Sequence, residues 1–233
     1  MIEQQTIALD DGLSPSAMTA YILNPTSGNP PKSLVVLLHG VGSNGQDLIS
    51  LAPEWADALP DTVFVSPDAP FAFNMAPFPM PGAYQWFSLL DRDPSALLEG
   101  VKTVKPLLDS FLQKLLQNYK IAEENCALAG FSQGTMLSLY AGPRQEKPLA
   151  GILGYSGALL GGEHLNEDDT HRIPIHIIHG ESDDVVPVMA WEAAKKSLEM
   201  KGFSVSGHTT PGLGHGIDEA GIESGREFLN KIL

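Results

Sequence analysis

Short apolar runs alternate with amphipathic stretches along most of this chain, a rhythm that predicts a largely parallel β-sheet covered by helices. Residues 6–9 and 18–23 read as two opening strands, a hairpin turning near Asp11-Gly12. Residues 34–38 are apolar at every position, the mark of a strand buried on both faces. Leu48, Leu51, Ala52, Trp55 and Leu59 recur at helical spacing and predict a helix over 47–59, followed by a strand at 62–66. Residues 95–119 are a long helical pattern containing Pro106, which should kink the helix or split it in two. An apolar stretch from Cys126 to Ala129 precedes a second helical pattern with Met136, Leu137, Leu139 and Tyr140. Residues 149–155, 173–178 and 203–209 complete the expected strands, with helices at 187–200 and 217–233.

Two segments break the rhythm. Residues 156–172 form a Gly- and Asp-rich excursion. Residues 67–90 carry five prolines among Phe71, Phe73, Met75, Phe78, Met80, Tyr84, Trp86 and Phe87. A loop so rich in apolar side chains is costly unless it packs on something, and loops of that length in compact domains are usually functional. No repeat, low-complexity tract or linker divides the chain, so residues 1–233 are expected to form a single α/β domain without a large cap domain.

The chemistry starts at Gly130-Phe131-Ser132-Gln133-Gly134, a G-x-S-x-G run set between the apolar stretch and the helical pattern. A serine hydroxyl becomes a useful nucleophile when a sharp strand-to-helix turn holds it clear of the surface beside a base, and glycines relieve the crowding of that turn. The base is usually a histidine, oriented by a carboxylate. After Ser132 the chain offers both in order. The strand at 173–178 runs into His179-Gly180-Glu181-Ser182-Asp183-Asp184, and the last strand runs into Gly214-His215-Gly216. Glu181, Asp183 and Asp184 share one loop; any of them could face the imidazole, and capping of the next helix accounts for at least one of the two aspartates. Of seven histidines, His215 alone sits between glycines in a loop after a strand. His39 and His179 close strands and read as lining or packed residues. His176 and His179 lie three apart in a strand and point to opposite faces, which argues against a shared metal ion. Cys126 reads as a buried, inert thiol. The oxyanion formed by attack needs donors. The backbone N–H of Gln133 is one by construction, and the glycine-dense turn after the strand at 34–38, from His39 to Gly45, should supply a second.

Charge narrows the options. With 14 Lys and Arg against 28 Asp and Glu, a formal charge of −14 argues against nucleic acid as a partner. A single cysteine fits a reducing compartment. With no apolar run of membrane-spanning length and no visible signal peptide or prenylation motif, a cytoplasmic protein is expected.

The set Leu38-His39-Gly40-Val41-Gly42, Gly130-Phe131-Ser132-Gln133-Gly134, His179-Gly180-Glu181-Ser182-Asp183 and Gly214-His215-Gly216 resembles the phospholipase/carboxylesterase family of small α/β-hydrolases, which includes acyl-protein thioesterases. The resemblance runs from about Leu34 to the C-terminus. It implies an α/β-hydrolase fold with Ser132 as nucleophile, Asp183 as acid, His215 as base, and Val41 and Gln133 as oxyanion donors, with no cofactor and no metal. It implies a serine esterase acting through an acyl-enzyme on carboxylic esters, with thioesters of proteins or coenzymes as the alternative substrate. The partner it implies is a small-molecule ester or thioester; a homodimer is a separate expectation about assembly. Thr135 stands where the family often has a second glycine, so the packing of the turn should differ. The loop at 71–86 lies where relatives shape the acyl pocket. Phe73, Met75 and Trp86 are therefore candidate substrate contacts favouring short to medium acyl chains, against core packing as the other reading. Two further readings compete: a non-catalytic hydrolase-fold protein that binds an apolar ligand, and an interaction protein that uses this loop as a sticky patch.

Overall fold

A computed structural model describes residues 1–166 and 170–233. The chain opens with β1 (Ile2–Ala8), β2 (Ala17–Leu23) and β3 (Ser33–Leu38), then two short helices, α1 (Gly45–Leu48) and α2 (Ala52–Ala56). β4 (Thr62–Pro67) leads into a small hairpin, β5 (Phe71–Ala72) and β6 (Tyr84–Gln85). The long helix α3 (Pro94–Tyr119) precedes β7 (Cys126–Phe131), α4 (Gln133–Ala141), β8 (Gly151–Tyr155) and β9 (Ile175–Gly180). α5 (Met189–Met200), β10 (Val205–Thr210) and α6 (Glu219–Ile232) finish the chain.

Eight strands form one sheet in the order β1-β2-β4-β3-β7-β8-β9-β10. β1 pairs antiparallel with β2, and β2 with β4; from β4 onward every pairing is parallel. β3 is buried at all six positions and divides them by period two between two cores. Leu34, Val36 and Leu38 face the side covered by α3, α4 and α5, while Val35 and Leu37 face Trp55 of α2 and Phe228 and Leu229 of α6. Helices on both faces are what an apolar parallel strand requires. The strand order reverses between β3 and β7, so their carboxyl ends open a crevice, the place where ligands bind in sheets of this kind.

Two sequence expectations need correction, and a third is narrowed. The helix expected over 47–59 is two short helices joined by a 3-10 turn at Ile49–Leu51. Pro53 has no N–H for the carbonyl four residues back, and Asn44 starts the first helix early by accepting from Asp47 N at 2.9 Å. α3 runs through Pro106 without splitting in two. Its buried stripe of Val101, Val104, Leu107, Leu108, Phe111, Leu112 and Leu115 outweighs the roughly 3 kcal/mol that an internal proline costs, since each buried Leu or Phe is worth about 2 kcal/mol. Finally, residues 67–90 are not a plain loop, because β5 and β6 pair Phe71 with Gln85 and Ala72 with Tyr84.

Candidate active site

Ser132 stands between β7 and α4 with φ 53° and ψ −115°. That backbone state costs a non-glycine residue about 1–3 kcal/mol and persists only where its surroundings impose it. The surroundings are visible. Ser132 N donates to Tyr155 O at 2.8 Å, and Met136 N donates back to Ser132 O at 3.1 Å. Thr135, the departure from the family pattern, adds a third tie: its hydroxyl accepts from Tyr155 N at 3.0 Å and lies 2.7 Å from Gly130 O and 2.8 Å from Tyr155 O. Gly154 and Gly157 leave the room that its side chain occupies. A polar clamp therefore replaces the small residue at the turn.

The fold brings His215, from the loop after β10, to this serine. His215 Nε2 lies 3.0 Å from Ser132 Oγ, and His215 Nδ1 lies 2.7 Å from Asp183 Oδ2. An ionised carboxylate only accepts, so Nδ1 carries the proton and Nε2 is left to accept from the hydroxyl. The three carboxylates of the β9 loop separate clearly. Glu181 accepts from Thr209 Oγ1 at 2.8 Å, and Asp184 is exposed. Asp183 is buried and fills both roles expected of the pair: Oδ1 accepts from Val185 N at 2.9 Å and Val186 N at 2.8 Å, capping the turn, while Oδ2 faces the imidazole. Burial opposes its charge, but the bonds from His215, Val186 and Val185 outweigh it and hold the carboxyl below its ordinary range. His179 Nε2 approaches the same Oδ2 at 3.3 Å while bonded to Val186 O at 2.7 Å, so it packs behind the acid as a backbone-bonded residue.

The other histidines lie apart. His39 is fully buried; its Nε2 accepts from Ala69 N at 2.9 Å and its Nδ1–H meets Gly40 O at 2.7 Å. Burial pushes its pKa down to about 4. His176, held between Ser206 and Ser224 hydroxyls at 2.8 Å each, is likewise lowered to about 4 by burial. Both titrate more easily in the unfolded chain, so stability is full above about pH 6.5 and falls as pH drops toward 4. For His39 the loss should reach roughly 3 kcal/mol. Urea unfolding at pH 7.5, 5.5 and 4.5 checks this; a midpoint that holds or rises on acidification rejects it. Cys126 is buried in β7 with its thiol pushed up to about 12, out of reach of nucleophilic use at neutral pH.

The crevice beside Ser132 is an open cleft of about 580 Å³ lined by Gly40, Val41, Phe131, Ser132 and His215. Apolar Leu48, Leu51, Val185 and Ile217 and polar Ser43, Asp47 and Ser50 complete its lining. Val41 and Ser132 thus line the same cleft, and Gln133 N sits in the first turn of α4, where backbone N–H groups have no intrahelical acceptor. Phe73, Met75 and Trp86 are not among the residues that line this cleft. Trp86 is wholly buried, its indole donating to His39 O at 2.9 Å. Phe73 packs its ring against Gly42, and Met75 lies in the exposed part of the loop. Part of the loop braces the turn at 39–45, while Phe78 and Met80 stay exposed. Tyr84 accepts from Gly42 N at 2.7 Å and donates to Ser43 O at 2.9 Å, and Asn44 Nδ2 donates to Gly82 O at 2.8 Å. Gln133 completes the brace, accepting from Trp86 N and donating to Phe87 O at 2.8 Å each. The turn that presents Val41 is held in place from behind.

Around Ser132 the fold thus sets a strand-to-helix turn, a glycine-dense turn beside it, and Asp183 and His215 from the loops after β9 and β10; the Phospholipase/Carboxylesterase profile matches residues 21–233 of this chain. The chain belongs to the phospholipase/carboxylesterase family. It is 30% identical to acyl-protein thioesterase 1 of Gibberella zeae over 216 residues, 85% of this chain and 90% of that protein. Among solved structures it is similar to esterase PE8, 41% identical with a TM-score of 0.84, covering 91% of this chain and 97% of that one. Acyl-protein thioesterase 2 of Zea mays, at 22% identity, shares the fold with a TM-score of 0.74 over 91% of this chain and 98% of that one. This phospholipase/carboxylesterase member is a serine hydrolase of carboxylic esters by family, with the α/β-hydrolase fold. No helix among the described residues is long and apolar enough to cross a membrane.

Proposed function

We propose that this serine hydrolase cleaves carboxylic esters of short to medium acyl chains through an acyl-enzyme on Ser132. The observation that carries the reading is the continuous chain of bonds from Asp183 through His215 to Ser132, at 2.7 and 3.0 Å. Ser132 Oγ attacks the ester carbonyl while His215 Nε2 takes its proton, and Asp183 holds the imidazole in the right tautomer and stabilises its cationic form. The N–H groups of Val41 and Gln133 hold the tetrahedral oxyanion, each worth about 3 kcal/mol at the transition state. His215 returns the proton to the departing alcohol. A water, deprotonated by the same nitrogen, then releases the acid and restores Ser132. No group beyond these side chains and amides is needed for the cycle. The chain itself, from 1 to 233, is proposed as one domain, since every strand that carries the site belongs to the same sheet.

Thioester hydrolysis is the second reading, favoured by relatives that are named acyl-protein thioesterase 1. It needs the same residues, so substrates decide. The experiment is a kcat/KM comparison of p-nitrophenyl butyrate and octanoate with a palmitoyl-peptide thioester, run beside labelling by an uncharged fluorophosphonate. Faster ester turnover with a mass shift on Ser132 is expected. Preference for the peptide thioester reverses the order of the readings, and absence of labelling leaves the non-catalytic binder. A homodimer through exposed Phe78 and Met80 and a cytoplasmic location belong to the same proposal. A monomer in sedimentation velocity at micromolar concentration removes the first, and cell fractionation tests the second.

A further inference from the structure

The charge of this protein is unevenly placed. Residues 33–91, 121–143, 173–194 and 202–225 contain no Lys or Arg, yet they carry fifteen of the 28 Asp and Glu. These blocks hold more negative charge than the net −14 of the whole chain, so the remainder is close to neutral. The fold brings part of each cation-free block to one place, while Asp61, Glu123 and Glu223 of these blocks pair with Lys32, Lys147 and Arg226 from outside them. Gly40 to Leu51, Phe131 and Ser132, Val185, and His215 and Ile217 all belong to them, and they line the catalytic cleft completely. Asp47 itself stands in the lining, bonded to Ser43 Oγ at 3.0 Å. Asp184 and Asp218 follow or precede the lining residues Val185 and Ile217 directly in the chain. No Lys or Arg lines the cleft among the described residues.

We propose that this cleft selects substrates by charge: it takes esters and thioesters whose leaving group is neutral or cationic and rejects those whose leaving group carries phosphate or carboxylate. The inference rests on the reading of the cleft as the substrate site. Asp47 in the lining is exposed, so it repels an approaching anion through water, an effect that is largest at low salt. The acidic surround does the same at longer range, where clefts of one sign concentrate opposite charge and deplete like charge. The apolar walls still accept a neutral acyl or alkyl group. Repulsion of the wrong partner, rather than attraction of the right one, thereby sets the specificity. Glycerophospholipids and coenzyme A thioesters fall in the rejected class, and choline-type or neutral alcohols in the accepted one.

The test uses pairs that differ in charge and keep the acyl group. Butyryl-N-acetylcysteamine is compared with butyryl-coenzyme A, and 3,3-dimethylbutyl butyrate with butyrylcholine, at about 10 mM and about 500 mM ionic strength, a range over which screening becomes severe. At low salt the coenzyme thioester should be slower in kcat/KM by about tenfold or more, and the choline ester should be as fast as its isostere or severalfold faster. High salt should shrink both differences. Asp47→Asn should shrink them at low salt as well, and Asp47→Lys should reverse the choline preference. Coenzyme thioester turnover within twofold of its neutral partner at low salt overturns the proposal. So does a large difference that salt leaves unchanged, which would make size the cause. If neither neutral substrate reacts and the fluorophosphonate leaves Ser132 unlabelled, the hydrolase reading itself has failed, a separate result from loss of charge selection.

Discussion

Ser132→Ala should abolish hydrolysis, lowering kcat by a factor on the order of 10⁵–10⁶, with the melting temperature close to that of the parent. The loss is that of the attacking atom, whereas the turn that holds it is built by Gly130, Thr135 and Tyr155 and survives the change. The same logic separates the carboxylates. Asp183→Asn keeps the side-chain shape but presents an amide to the imidazole. Its NH₂ can then face His215 and favour the tautomer with Nε2 protonated, which cannot accept from Ser132. A fall of about 10⁴ in kcat follows. Asp184→Asn, exposed and outside the bond chain, should stay within about twofold. Residues acting as one unit are not additive, so Ser132→Ala combined with Asp183→Asn should be no slower than Ser132→Ala alone. Equal losses at Asp183 and Asp184, or a Ser132→Ala protein that still turns over ester at a hundredth of the parent rate, would remove the assignment.

The order Ser132, Asp183, His215 was legible because the first two follow largely apolar runs, at 126–129 and 173–178, and His215 is bracketed by glycines after a strand, Val205–Thr210, that is itself mostly polar. The strand at β7, the Gly-flanked turn and the Gly-flanked His215 need no knowledge of packing. The choice of Asp183 needed it. Three carboxylates within four residues differ only in which one the turn folds inward, and Asp183 is selected because its other oxygen caps Val185 and Val186. The walls of the cleft were not legible. Leu48 and Leu51, three apart just after the turn at 39–45, read as ordinary helix-face residues, Ile217 as the first residue of a helix, and Val185 carried no reading of its own. The one available signal was that all four stand within a few residues of the site turns. The loop at 67–90 was ambiguous for a physical reason: burial of Trp86 behind the turn at 39–45 looks the same in sequence as burial against a substrate. Absence of Lys and Arg in four separate blocks was likewise visible along the chain, but it acquires a meaning only when the fold brings part of each block to one cleft.

Gly134→Ala should damage the protein as deeply as any change outside the bond chain. A Cβ at Gly134 would fall inside the carbonyl of Leu38 and within 2.9 Å of His39 O, all backbone atoms that cannot rotate away. α4 would have to withdraw from the end of β3. That close approach holds Gln133 N–H at the end of β3 from which the turn carrying Val41 leaves, so the withdrawal would part the two proposed oxyanion donors as well as strain the core, because α4 is buried at all nine positions. Overpacking against backbone belongs to the exceptional class of single changes, costing roughly 4–5 kcal/mol, or about 10–15 °C in melting temperature for a chain of this size. Gly216→Ala is the matched comparison: no atom lies within 4 Å of its added carbon, and its stability should remain within about 0.5 kcal/mol. Thermal melting gives the first number for both variants. The rate of Ser132 labelling by a fluorophosphonate, measured at a temperature where Gly134→Ala is still folded, gives the second. That rate should fall by more than tenfold, since the probe forms the same kind of oxyanion that the separated donors no longer hold. A Gly134→Ala protein that melts and labels like the parent would mean that α4 can slide without cost, and that the close packing of this glycine on β3 does not position the catalytic turn.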